Sequence, residues 1–202
     1  MRLKRAAYFA AALLLGGLVV ERFTRYDGIR IMSFSPSYIV AARRALADFQ
    51  KAHPERYAHF RQSVSVIRHD HDYTGTSPQS WKDGNRGVVG ILRRHLQNDY
   101  PYRVFGTFVH EGCHAAQHKR AAEGGWTGDL CQREKECLLL TIEFHRAANS
   151  PEGFAEESVD ALRAIQSGNE QEITRLYRSY PGDEKLLNCA RLGSLDSLAA
   201  RP

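Results

Sequence analysis

Five consecutive residues, His110-Glu111-Gly112-Cys113-His114, place two imidazoles and a carboxylate where a single helix can aim them at one point. At about 100° per residue, His110 and His114 stand about 40° apart on one face, one turn separated. Two neutral imidazoles at that spacing can take two corners of a tetrahedral zinc site. Glu111 lies beside them, placed to act on a water at the metal without being a ligand itself. The chemistry this points to is metal-assisted hydrolysis.

Such a constellation works only on a helix that is held from behind. Pro101 closes the preceding segment, and residues 102–120 read as a helix of about five turns. Phe105, Phe108, Val109, Gly112, Cys113 and Ala116 cover the side opposite the polar group, as a buried helix requires. Gly112 costs about 1 kcal/mol of helix stability relative to alanine, which implies a close neighbour at its backbone. A third ligand must come from elsewhere. His118 continues the i, i+4 series, but eight residues of helix carry it about 12 Å from His110 along the axis. Gly124-Gly125 breaks the helix, Thr127 or Asp129 can cap a new one, and residues 130–147 are again helical in pattern. That second helix begins with Glu134 and Glu136, which are turned about 200° from each other, so only one can face the metal. Glu134, Glu136 and the capping candidate Asp129 are the candidates for the third ligand.

The His-Glu-x-x-His pattern resembles that of zincin metallopeptidases. Gln117 and Arg120 stand where the longer metzincin motif has its glycine and third histidine, so metzincins are set aside. Glu134 follows His114 by twenty positions, and Arg133-Glu134-Lys135-Glu136-Cys137 is similar to the Glu-x-x-Ala/Ser-Asp segment of thermolysin-like gluzincins. The resemblance covers roughly residues 105–145. It implies a small, mostly helical α+β domain, a Zn²⁺ ion held by His110, His114 and Glu134, and Glu111 as general base in hydrolysis of a peptide or protein substrate. Zincins also bind extended substrate along an edge strand above the active-site helix, a role for which residues 88–92 are the candidate, with an internal strand of the small sheet as the equal alternative. Gluzincins use a Tyr or His to support the oxyanion, for which Tyr73, Tyr100, Tyr102, His145, Tyr177 and Tyr180 are available. One departure stands out: the aspartate that orients a zinc histidine in gluzincins is replaced by Leu138. Trp126-Thr127-Gly128-Asp129 is similar to part of the aspzincin Gly-Thr-x-Asp segment, which would make Asp129 the ligand, although it also suits a helix cap.

Around this pair of helices the chain is organised simply. The 202 residues suffice for one compact domain, 27–202, behind an N-terminal element, 1–26. Arg2, Lys4 and Arg5 precede an uncharged run over residues 6–20 that Glu21 and Arg22 close. With no small-x-small cleavage site after it, the run reads as an uncleaved signal-anchor, with the domain exported to the periplasmic side of a bacterial inner membrane. The net charge of +5 comes from basic residues dispersed among acidic ones, without the basic stripe and stacking aromatics of a nucleic-acid binder. Four cysteines suit an exported chain. Cys131 and Cys137, six apart on one helix, point to different sides and should not pair with each other; Cys189 could pair with either, or some could remain buried thiols.

Elsewhere, residues 37–53 read as a packing helix and residues 63–67 as a strand. His69-Asp70-His71-Asp72 alternates faces if extended, so its four side chains do not converge on one ion, and it reads as a polar loop at the rim of the cleft. Residues 83–87 form a turn before the strand 88–92, and residues 151–187 carry one or two packing helices anchored by Phe154, Val159, Leu162, Ile165, Ile173, Leu176 and Tyr177. The function these features imply is a membrane-anchored zinc peptidase; a zinc amidase acting on cell-wall cross-links and a non-catalytic zinc-binding domain are the alternatives.

Overall fold

The computed structural model describes residues 24–71, 75–77, 86–96, 101–125, 129–151 and 153–177. The expected anchor lies almost wholly outside these, as do Tyr73, Tyr100, Tyr180, Thr127 and Cys189. Among the described residues no helix is long and apolar enough to cross a membrane.

The fold is α+β and mostly helical, with one five-stranded sheet. In chain order the elements are β1 (Arg25–Tyr26), β2 (Ile29–Met32), α1 (Pro36–Ala52), α2 (Pro54–Ser63), β3 (Val64–Asp70), β4 (Gly75–Ser77) and β5 (Gly87–Leu92). A short α3 (Arg93–Leu96) follows, then α4 (Pro101–Ala122), α5 (Leu130–Ala147), α6 (Phe154–Ser167) and α7 (Glu170–Tyr177). The strand order is β1-β2-β3-β5-β4, with β2, β3 and β5 parallel and the two edge strands antiparallel to their neighbours.

Helix α1 starts where Ser35 caps it, accepting from the Tyr38 amide, and Pro36 supplies a first position that needs no donor. Helix α2 is an addition to the sequence reading, which ran the strand from residue 63. Pro54 opens α2, and the strand begins only at Val64. The strand then continues through His69 and Asp70 instead of giving way to a loop. His69 and His71 do share a face, with ring centroids 4.4 Å apart, while His69 stacks on Tyr38 at 4.1 Å. Residues 88–92 form a strand as expected, but β5 is internal, bonded to β3 on one side and β4 on the other. All six of its residues are buried. The edge beside it is β4, which packs against α4.

One apolar core fills the space between the sheet and helices α1, α2 and α4. Its hub is Phe49, whose ring meets Phe105 at 5.3 Å and Phe108 at 5.5 Å, with Phe60 and Phe144 edge-on. Burying Phe105 and Phe108 here fixes the rotation of α4, and the 3.6-residue period then turns His110 and His114 to the other side. A second cluster lies behind α5, where Leu138 and Ile142 pack on Ala161, Leu162, Ala164, Ile165 and Ile173 of α6 and α7. Helix α5 is therefore gripped on two faces, with a third left to meet α4.

Candidate metal centre

Helices α4 and α5 run antiparallel, and their facing residues meet in successive layers. Gln117 lies opposite Arg133 and Glu136, His114 opposite Glu134 and Cys137, and His110 opposite Thr141. His110 Nε2 and His114 Nε2 are 3.2 Å apart; Glu134 Oε1 is 3.4 Å from the first and Oε2 is 3.0 Å from the second. The group His110, His114 and Glu134 could hold a metal ion, and its ligand atoms all lie within 4.8 Å of one another. Donors bound at zinc–nitrogen lengths in a tetrahedron would be about 3.3 Å apart, close to what the three side chains present.

The opposite nitrogen of each imidazole is tied down. His114 Nδ1 donates to Gln117 Oε1 at 3.0 Å, and the amide of Gln117, 1 % exposed, donates in turn to Arg133 O at 2.9 Å and Glu136 Oε2 at 3.0 Å. His110 Nδ1 lies 3.4 Å from Thr141 Oγ1, whose own proton goes to Cys137 O at 2.7 Å, so the hydroxyl is left to accept from the ring. Both networks place the ring proton on Nδ1 and leave the Nε2 lone pairs facing each other and the carboxylate. Three acceptors in such proximity repel unless a cation or proton stands among them.

The electrostatics agree. Burial disfavours the charged form of His114, but the hydrogen bond and charge of Glu134, then the charge of Glu111 and the bond to Gln117, outweigh it and raise its pKa to about 9. Burial likewise opposes ionisation of Glu134, yet the charges and hydrogen bonds of the two imidazoles hold its carboxyl well below the usual carboxylate range. The carboxylate is thus held ionised by imidazoles that carry the proton, and a metal ion entering the group would take that proton's place.

The alternatives are engaged elsewhere. Glu136 bridges to Arg120 at 2.7 Å and to Gln117, pointing away from the imidazoles. Asp129 caps α5, accepting from the Gln132 amide at 2.8 Å. His118 stands one turn past His114 and outside the converging group. Leu138 sits in the second apolar cluster against α6, so an aspartate at that position would not reach either histidine. Glu111 is 2 % exposed on the turn between the two histidines. Of the oxyanion candidates, Tyr102 packs its ring on His53 and Phe105, and His145 bonds Ser150 and stacks on Phe154.

A disulfide joins Cys113 to Cys137 across the two helices, and Cys137 Sγ lies 3.5 Å from His114 Nδ1. Cys131 and Cys137 indeed do not pair with each other. Cys131 is disulfide-bonded as well, which overturns the alternative of buried thiols for the described cysteines. Behind the motif, a Cβ on Gly112 would meet the Phe60 ring at 2.8 Å, which accounts for the glycine.

Comparison with family models, with curated proteins and with solved structures finds no match. Two positioning residues were not anticipated from sequence. Each had a signal: Gln117 follows His114 by three, and Thr141 follows Glu134 by seven, both spacings that return to the same helical face.

Proposed function

We propose that this chain is a membrane-tethered, zinc-dependent metallopeptidase that hydrolyses amide bonds in extended peptide segments. The observation that carries the proposal is the convergence of two oriented imidazole nitrogens and an ionised, buried carboxylate, with Glu111 adjacent in the same helix turn. Two nitrogens and one oxygen suit zinc, and three protein ligands leave a position open for chemistry. When bound there, the metal supplies Lewis acidity for the substrate carbonyl and activates water for attack.

The protein's own residues do the rest. Glu111 takes a proton from the attacking water at its carboxylate and returns it to the departing amine nitrogen. Gln117 and Thr141 hold the imidazoles in the tautomer that presents Nε2. Strand β4 ends the sheet among the described residues, and its backbone groups on the side away from β5 are available to a substrate strand beside α4. The disulfides suit an oxidising compartment, in keeping with an exported domain behind an N-terminal anchor.

The test is metal content together with one variant. Protein purified from zinc-supplemented cells should hold close to one zinc per chain and cleave unstructured polypeptides. Glu111→Gln should keep the zinc and lose hydrolysis. Zinc-free protein, or a Glu111→Gln variant as active as the parent, overturns the proposal.

A further inference from the structure

The chain reaches the sheet beside an unusual patch. The Ile31 amide donates to Thr24 O at 2.5 Å, and β1 runs antiparallel to β2, so Thr24, where the described chain begins, lies at the end where β2 finishes. That end is apolar and exposed. Met32 closes β2 at 41 % exposure, and Phe34 is fully exposed two residues later. These are two of the five large hydrophobic residues exposed among the described ones. Water contact with a whole phenylalanine ring is unfavourable and is seldom left unexplained beside other apolar groups.

Basic residues frame the patch. Arg30 shares a strand face with Met32, and Arg68 is the register partner of Met32 on β3; both are exposed. Asp70 bonds Arg68 at 3.0 Å and offsets part of its charge, and Asp27, in the β1–β2 turn, bonds Arg61 at 3.0 Å, so Arg30 carries most of the positive charge of this face. An apolar, aromatic centre with arginines around it matches the layering of a bilayer surface, where rings enter the acyl boundary and guanidinium groups meet phosphates. Chain geometry brings such a surface within reach. The apolar run over residues 6–20 ends four residues before Thr24, at most about 14 Å of extended chain.

We propose that this end of the sheet, Met32 and Phe34 with Arg30 and Arg68, docks against an anionic lipid bilayer, the one that holds residues 6–20. The domain then lies on the membrane in a fixed orientation instead of swinging on a tether. The proposal rests on the anchor reading of the N-terminus and is independent of the metal chemistry.

Photocrosslinking of the full-length chain tests it. A benzophenone-bearing phenylalanine replaces Phe34, Met32 or, as a control, Leu139, which is 55 % exposed on α5. Each protein is reconstituted in vesicles of phosphatidylethanolamine and phosphatidylglycerol and irradiated, and adducts are identified by mass. Lipid adducts at positions 32 and 34 should exceed those at 139 by roughly tenfold. Replacing the anionic lipid with phosphatidylcholine should lower them by roughly fivefold. Carbonate extraction separates the two failures. If the chain stays with the vesicles but positions 34 and 139 react alike, or position 34 reacts with a second protein chain, the docking proposal falls and the anchor stands. If carbonate strips the chain off, both fall. Equal adducts in the two lipid mixtures overturn the role given to the arginines.

Discussion

Replacing Cys113 and Cys137 together with alanine removes the covalent link between the two helices that bring the three ligand atoms together. The link closes a loop with a sequence separation of 24. In the chain-entropy treatment, opening a loop of that size returns roughly 3.5 kcal/mol of freedom to the unfolded chain at 25 °C. For a domain of this size that corresponds to a melting temperature about 7–14 °C lower. The double substitution is preferable to a reductant, because Cys131 is disulfide-bonded too. Metal binding should suffer in the same variant, since Glu134 sits on α5 and both histidines on α4, and any spread in helix docking lowers the fraction of molecules that present all three. The assay is calorimetric melting of metal-stripped protein, then zinc titration against a chromophoric chelator. Zinc at about 100 times its dissociation constant should restore about 2.7 kcal/mol of stability to either protein. A double variant that melts within about 2 °C of the parent and binds zinc as tightly would refute the idea that the disulfide holds the centre together.

Three further outcomes follow from the same geometry. Glu134→Gln should abolish stoichiometric zinc binding, whereas Glu136→Gln should change zinc affinity by less than about threefold, because Glu136 faces Arg120 and Gln117; the reverse result in chelator competition would exchange their roles. Gln117→Leu and Thr141→Val should each weaken zinc binding by about 10–100-fold, with Thr141→Ser close to the parent; an unchanged affinity in both variants would mean the imidazoles need no orienting partner. Gly112→Ala should destabilise the fold by about 1–3 kcal/mol in urea unfolding, despite the better helix propensity of alanine, because the added Cβ would meet the buried Phe60 ring at 2.8 Å and displace it; a stabilised variant would show that the ring or α2 moves at no cost.

The parts of this structure that were legible in the sequence are those governed by a local period. Helix α5 spans Leu130–Ala147, as the pattern and the capping Asp129 indicated, and the apolar back of α4 is buried as read. Glu134 faces the histidines, and Glu136 is turned away from them. What was missed depends on contacts distant along the chain. Helix α2 buries only Tyr57, Phe60 and Ser63, too few for a periodic signal. Residues 88–92 were open to an edge or an internal position, because strand order is set by pairing across the molecule; β5 lies inside, and three residues of β4 form the edge among the described strands. Leu138 looked like a missing orienting residue, although the orienting is done by Gln117 and Thr141. The partner of Cys137 was equally unreadable, since Cys113 meets it only when α4 and α5 dock.

That docking has a consequence for the order of events in a newly made chain. A polypeptide whose helices have formed but not yet associated offers a metal only the two imidazoles of α4; the third donor arrives with α5. Collapsed states that keep helices and lose fixed packing would accordingly be metal-poor, however helical their spectra. Metal uptake by this group would therefore come late, after the Phe49 core has seated α4 and the second cluster has seated α5. Occupancy of the centre then reports native tertiary structure, and the time course of zinc uptake would be a clock for the last step of folding.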